Sequence, residues 1–152
     1  MPQNGSINES ITMQEIYRKF GQQYGERYPK YKIICHENSR GGEMFLIAKG
    51  KASVYIQGPP PDYNRINIAE LGPGDFFGEM SLLEKLPRFA SIKALSDVKV
   101  LIINRAILKQ VVKINPDFAI MMLKKFSSRL RKWNQGKKRK KQSKISRANL
   151  FV

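Results

Sequence analysis

Six short apolar runs, each closed by turn-forming residues, constrain this chain more than any other feature of its sequence. They are Tyr31–Cys35, Met44–Lys49, Ala52–Ile56, Ile66–Leu71, Phe89–Leu95 and Val98–Ile103. Each is long enough for a strand and too short for a helix, and several in such close succession predict an antiparallel barrel or double-sheet roll. The segment Gly58-Pro59-Pro60-Pro61-Asp62-Tyr63-Asn64 lies between the third and the fourth. Its three prolines cannot donate to a ladder, so it reads as an exposed hairpin loop, a simple connector.

Helical patterns flank the runs. Residues 1–9 are polar and read as a disordered N-terminus. Ile11, Ile16, Tyr17 and Phe20 recur at helical spacing, which predicts a helix from about Ile11 to Gln22, stopped by Gly25. Arg105–Ile114 carries a second pattern (Ile107, Leu108, Val111, Val112) that Asn115-Pro116 breaks. Pro116 suits the first position of a further helix, whose stripe is Phe118, Met121, Met122, Phe126, Leu130 and Trp133. That stripe either packs on the roll or pairs with a second copy of the chain. The folded domain is expected over 10–134.

Charge is unevenly placed. The net charge is +16, and while all 12 acidic residues precede Lys124, 12 of the 28 cations follow Leu123. Residues 135–152 therefore read as a disordered basic tail, either a solubilising end or a weak binder of nucleic acid or another polyanion. One cysteine excludes an internal disulfide and a multi-cysteine metal site, and one histidine cannot supply the ligand cluster of a β-roll metalloenzyme. Cys35 and His36, adjacent near a strand end, point to opposite faces and cannot act as nucleophile and base. The expectation is a non-catalytic protein without metal or cofactor. No apolar run approaches the roughly 20 residues of a membrane span, and the N-terminus lacks a signal-peptide layout, so a cytoplasmic location is expected.

What chemistry there is gathers in Leu71-Gly72-Pro73-Gly74-Asp75-Phe76-Phe77-Gly78-Glu79-Met80-Ser81-Leu82-Leu83 and, after three residues, Pro87-Arg88-Phe89-Ala90-Ser91. Gly72 and Gly74 flank a proline in a turn, and Gly78 removes a side chain where a short helix over Glu79–Leu83 begins. Amide groups at such a start favour an anion, and Arg88 returns with a planar cationic fork. Glu79 can only accept hydrogen bonds at neutral pH, so beside a phosphate it needs a hydroxyl of the same ligand. A sugar phosphate satisfies both.

These residues resemble the phosphate-binding cassette of cyclic nucleotide-binding domains, the family of catabolite activator protein, protein kinase A regulatory subunits and gated channels. The likeness extends upstream through Gly42-Glu43-Met44-Phe45-Leu46-Ile47 and Gly50-Lys51-Ala52, and covers roughly Tyr24 to Trp133. It implies a mainly β, jelly-roll-like β-roll with an N-terminal helix, a short phosphate-binding helix and two C-terminal helices. The implied ligand is cyclic AMP or cyclic GMP. By the same resemblance Glu79 accepts from the ribose 2′-hydroxyl and Arg88 pairs with the cyclic phosphate. Amides near Gly78, Glu79, Met80 and Phe89 complete the cradle, with Phe77 and Ser81 inside the cassette. Ser81 and Phe89 stand where the family often has alanine. Ser91 matches a position whose hydroxyl can touch the purine, and reads equally as an ordinary strand hydroxyl. Phe126, Arg129 and Leu130 are candidates to cap the base. The function implied is a regulatory sensor that signals occupancy through its C-terminal helix to an unidentified protein effector, with a homodimer through that helix as a further expectation. The alternative is a β-roll scaffold without a nucleotide, acting through its basic end.

Overall fold

The computed structural model describes residues 7–149, with side-chain surroundings through Lys138. It divides into two units, one ending at Phe118 and one beginning at Ala119. The first opens with helix α1 (Glu9–Tyr24), where the Asn8 side chain accepts from the Ile11 amide at 3.2 Å and satisfies one of the unpaired donors of the first turn. The helix buries Thr12, Ile16 and Phe20 and stops where the Gly25 amide donates to Gly21 O. Glu9 is therefore helical rather than part of a disordered end, and the remainder of that expectation, residues 1–6, lies outside the described residues.

Two four-stranded antiparallel sheets follow. The first has the order β1 (Gly25–Tyr28), β8 (Val98–Ile103), β3 (Met44–Lys49), β6 (Phe76–Phe77), and the second β2 (Ile33–Cys35), β7 (Ser91–Ala94), β4 (Ala52–Gln57), β5 (Arg65–Leu71). All six predicted runs contain strands. The core lies between the sheets: Phe45, Ile47, Phe77, Val98 and Val100 from one meet Ala52, Leu71, Ile92 and Ala94 from the other. In β3 and β8 the opposite face is buried as well, through Met44, Leu46, Leu101 and Ile103, all at most 1% exposed. Helices α1 and α3 (Arg105–Ile114) contact β8, which is why these two strands read as continuous apolar runs rather than alternating ones. Helix α3 is opened by Asn104, whose Oδ1 accepts from the Ile107 amide at 2.9 Å.

Tyr28, which packs against the inter-sheet core, has its phenol pushed up to about 12, first by burial and then by Glu26. A folded-state value above the ordinary one means that the neutral phenol is the form the fold stabilises. That contribution is complete below pH 10 and is lost as pH rises toward 12. Tyr28→Phe is expected to flatten the fall in stability between pH 10 and 12, measured as denaturation midpoints of variant and parent across that window.

The second unit is the body of helix α4 (Asp117–Asn149). The basic segment expected to be disordered from 135 is helical as far as Asn149, and residues 150–152 lie outside the described residues. Lysine, arginine and glutamine are strong helix formers, and the lone Gly136 costs only about 1 kcal/mol. The Lys137 ammonium lies 3.6 Å from the centroid of the Trp133 ring one turn earlier, a cation–π contact that carries the helix past its apolar stripe. Leu123, Leu130 and Trp133 are exposed. Among the described residues, no helix is long and apolar enough to cross a membrane.

Candidate functional site

The glycine-rich turn is built onto β3. Asp75 Oδ2 accepts from the Gly72 amide at 2.9 Å, the Asp75 amide returns to Gly72 O at 3.0 Å, and Gly74, at φ +88°, donates to Ile47 O at 2.9 Å. Thus anchored, the chain enters β6, whose Phe77 stacks on Phe45 with ring centroids 4.8 Å apart and planes 13° from parallel. Gly78 then adopts φ +83° and turns the chain into α2 (Glu79–Glu84). A side chain at Gly78 would meet the guanidinium of Arg88 and stand 2.8 Å from Glu43 O. Both the backbone conformation and the neighbours require glycine there.

Arg88 is 5% exposed, which for an arginine demands partners. Nη1 donates to Glu43 O and, at 3.3 Å, to Gly78 O, while Nη2 reaches Glu43 Oε2 at 3.4 Å. The guanidinium carbon lies 5.3 Å from the Phe45 ring centroid, and a Cβ at Gly41 would collide with it. Main-chain bonds fix the base of the side chain: the Arg88 amide donates to Ser39 O, and Arg88 O accepts from the Asn38 amide, each at 2.8 Å. A cation is therefore seated between two glycines and neutralised by one carboxylate that is itself 47% exposed. Burial pushes the Cys35 thiol up, and Arg88 offsets that rise only in part.

The remaining sequence-predicted residues fall into two groups. Phe77, Gly78, Glu79, Met80 and Ser81 are brought together with Arg88 by the β6–α2 turn, with Glu79 half-buried and Met80 exposed. Ser81 is 2% exposed, and among the described residues its hydroxyl has no hydrogen-bond partner. It lines a cleft of about 620 Å³ together with Arg40, Gly41, Gly42, Lys85, Leu86 and Pro87. An unsatisfied buried hydroxyl costs about 1–3 kcal/mol, an anomaly that a ligand in this cleft would relieve. Phe89 is 63% exposed and points away from the core rather than filling it.

Ser91 stands apart. Its hydroxyl accepts from the Glu37 amide at 2.8 Å, and it sits directly opposite Tyr55, whereas the neighbouring pair Val54–Ile92 faces the core. Ser91 thus has a strand-side hydrogen bond of its own, on the opposite face of β7 from Ile92. Residues that sequence reasoning missed are Glu43, Gly41, Arg40 and Lys85. Glu43 carried one signal: a buried arginine calls for a carboxylate, and Glu43 opens the strand beside it.

Comparison with known proteins fits this geometry. Residues 25–115 match the family described as cyclic nucleotide-binding domain. A cAMP-dependent protein kinase regulatory subunit of Aspergillus fumigatus is 37% identical over 82 residues, covering 52% of this chain and 18% of the relative. A CRP-like cAMP-activated global transcriptional regulator of Mycobacterium tuberculosis is 26% identical over 107 residues, covering 70% of this chain and 47% of the relative. The crystal structure of Thermus thermophilus catabolite activator protein superposes with a TM-score of 0.65 at 27% identity, covering 86% of this chain and 58% of that one. The chain thus spans less than half the length of the two curated relatives.

Proposed function

Since the chain belongs to the cyclic nucleotide-binding domain family, we propose that it is a cyclic nucleotide sensor, with cyclic AMP the ligand to test first, whose occupancy is passed through the C-terminal helix to a partner protein. The observation that carries this reading is the seating of Arg88: a guanidinium inside a roll, set against Gly41 and Gly78, with an exchangeable carboxylate on Nη2. A cyclic phosphate takes over the Nη2 donor from Glu43, whose 3.4 Å contact is long for a hydrogen bond and is readily given up. Amides at the start of α2 then meet the same phosphate, and Glu79 takes the ribose 2′-hydroxyl. The two relatives bear names that refer to cAMP, which supports testing cyclic AMP before cyclic GMP.

Ser81 extends the cradle. Its hydroxyl donates to a phosphate oxygen and so gains the partner it otherwise lacks. A single neutral donor is worth about 0.5–1.5 kcal/mol, so Ser81→Ala weakens binding about two- to twelvefold and leaves thermal stability unchanged or slightly raised. Titrating the full chain with cyclic AMP and with cyclic GMP in a calorimeter tests the proposal. Saturable heat with either nucleotide, preferentially cyclic AMP, is expected; no heat with both would overturn it. Effector identity and homodimerisation through α4 belong to the same proposal, and a cyclic AMP-dependent change in sedimentation is the expected sign of the latter.

A further inference from the structure

A row of three cations crosses the first sheet. Arg27 on β1 stands directly opposite Lys99 on β8, and Lys99 directly opposite Lys49 on β3. Partners in register share a face, and here it is the outer one, because Val98 and Val100 on either side of Lys99 are in the core, as is Tyr28 beside Arg27. Lys49 reaches that face only because the register shifts between Ile47 and Lys49. Ile47 is fully buried in the core, and strict alternation would put Lys49 on the same inner side. A bulge re-aims it outward, beside another lysine.

Like charges directly opposite on adjacent strands destabilise a sheet, and this row has two such juxtapositions in succession. Arg18 of α1 adds a fourth cation, lining with Lys49 and Lys99 a cleft of about 380 Å³ whose other walls include Met13, Tyr17 and Ala48. Lys51 pairs with Glu70 and Arg88 with Glu43, and none of these four cations is in either pair. Glu26, adjacent to Arg27 in the strand, is directly opposite Val100 on the core side and hydrogen-bonds with Tyr28. Among the described residues, neither of those ion pairs offsets the row.

We propose that this face, formed by β1, β8, β3 and α1, docks a short acidic segment of a partner protein, its carboxylates paired with Arg27, Lys99, Lys49 and Arg18 and an apolar side chain seated in the cleft beside Met13 and Tyr17. Charge complementarity names the sign of the occupant, and the cleft names its class. Two strand spacings make a row about 10 Å long, the reach of three extended residues and too short to follow a nucleic-acid backbone. A concave site with methionine and tyrosine in its wall suits a side-chain anchor better than a phosphate does. The inference is independent of nucleotide binding, since none of these residues belongs to the cassette.

The test uses the full chain and a fluorescent hexapeptide of four glutamates and two leucines, followed by anisotropy at low salt. Removing two exposed or rim pairings in Lys49→Gln/Lys99→Gln weakens the peptide about tenfold. The same double variant keeps its cyclic AMP titration and melts no lower than the parent, because it removes repulsion. Lys137→Gln/Lys138→Gln on α4 leaves peptide affinity intact. Three results would overturn the assignment: no peptide binding to the parent, equal binding by the row variant, or a loss confined to the α4 variant. A duplex DNA whose affinity falls with the row variant while the peptide's does not would overturn the partner class.

Discussion

Arg88→Ala abolishes cyclic nucleotide binding: in a calorimetric titration the affinity falls by a factor of about a hundred or more. Truncating one partner of a desolvated charge pair costs about 2–5 kcal/mol, much of it because the other charge is left unmatched in a site that excludes water. Here the phosphate would enter a roll in which, among the described residues, Arg88 is the cation bonded to Gly78 O and to Glu43. The loss is specific to binding rather than folding. Glu43 Oε2 loses a contact of 3.4 Å, but its side chain is 47% exposed and is resolvated, and Gly78 O keeps the Leu82 amide at 3.2 Å, so the unliganded protein loses only about 1–3 kcal/mol from Glu43 O. Arg88→Lys separates charge from shape. It keeps the cation but cannot bridge Gly78 O, Glu43 O and a phosphate with one planar fork, so binding weakens by about tenfold rather than disappearing. Equal affinities for Arg88→Ala and the parent, with parental binding intact, would remove Arg88 from the site and the sensor reading with it.

The parts of this molecule that were legible in the sequence are those in which local chemistry and tertiary context agree. Met44–Lys49 and Val98–Ile103 are apolar throughout because one face meets the opposing sheet and the other lies under helices, so each announces a strand. Gly78, Glu79 and Arg88 are legible because a positive φ, a short helix start and a planar cation each admit few residue types. β1 was not legible: Gly-Glu-Arg-Tyr has one apolar residue in four and is a strand only because β8 supplies the register. Phe76–Phe77 makes two ladder pairs with β3, too short a stretch for any periodicity to show. Glu43 as the counter-ion of Arg88 depends on a contact across 45 residues, which spacing along the chain does not encode. Ser91 shows a case that spacing leaves open: a hydroxyl three residues after the arginine invites a ligand role, and in the fold it is buried and accepts from the Glu37 amide. The basic end misled through composition, since charge density signals disorder while lysine and arginine are also good helix formers.

Gly78→Ala separates the two demands that meet at one residue, and it carries the largest expected loss of stability. A non-glycine residue at φ +83° costs about 1–2 kcal/mol from its own backbone conformation. The added Cβ also stands 2.8 Å from Glu43 O, a main-chain atom at the entrance to β3 that cannot swing aside, and closer still to Nη1 of Arg88, which can. Overpacking against backbone adds about 1–3 kcal/mol. The total, about 2–5 kcal/mol, lowers the melting temperature by on the order of 10 °C for a chain of this size. The displaced guanidinium loses its bond to Gly78 O, so nucleotide affinity falls together with stability. Gly74 supplies the control: it has φ +88°, but a Cβ there meets nothing within 4 Å, and it lies in the turn before the cassette. Gly74→Ala therefore bears only the conformational cost of about 1–2 kcal/mol and retains its ligand. If the two variants melted together and bound alike, the close approach of Arg88 and Glu43 O to Gly78 would have no energetic consequence, and the cassette would be a turn like any other in the roll.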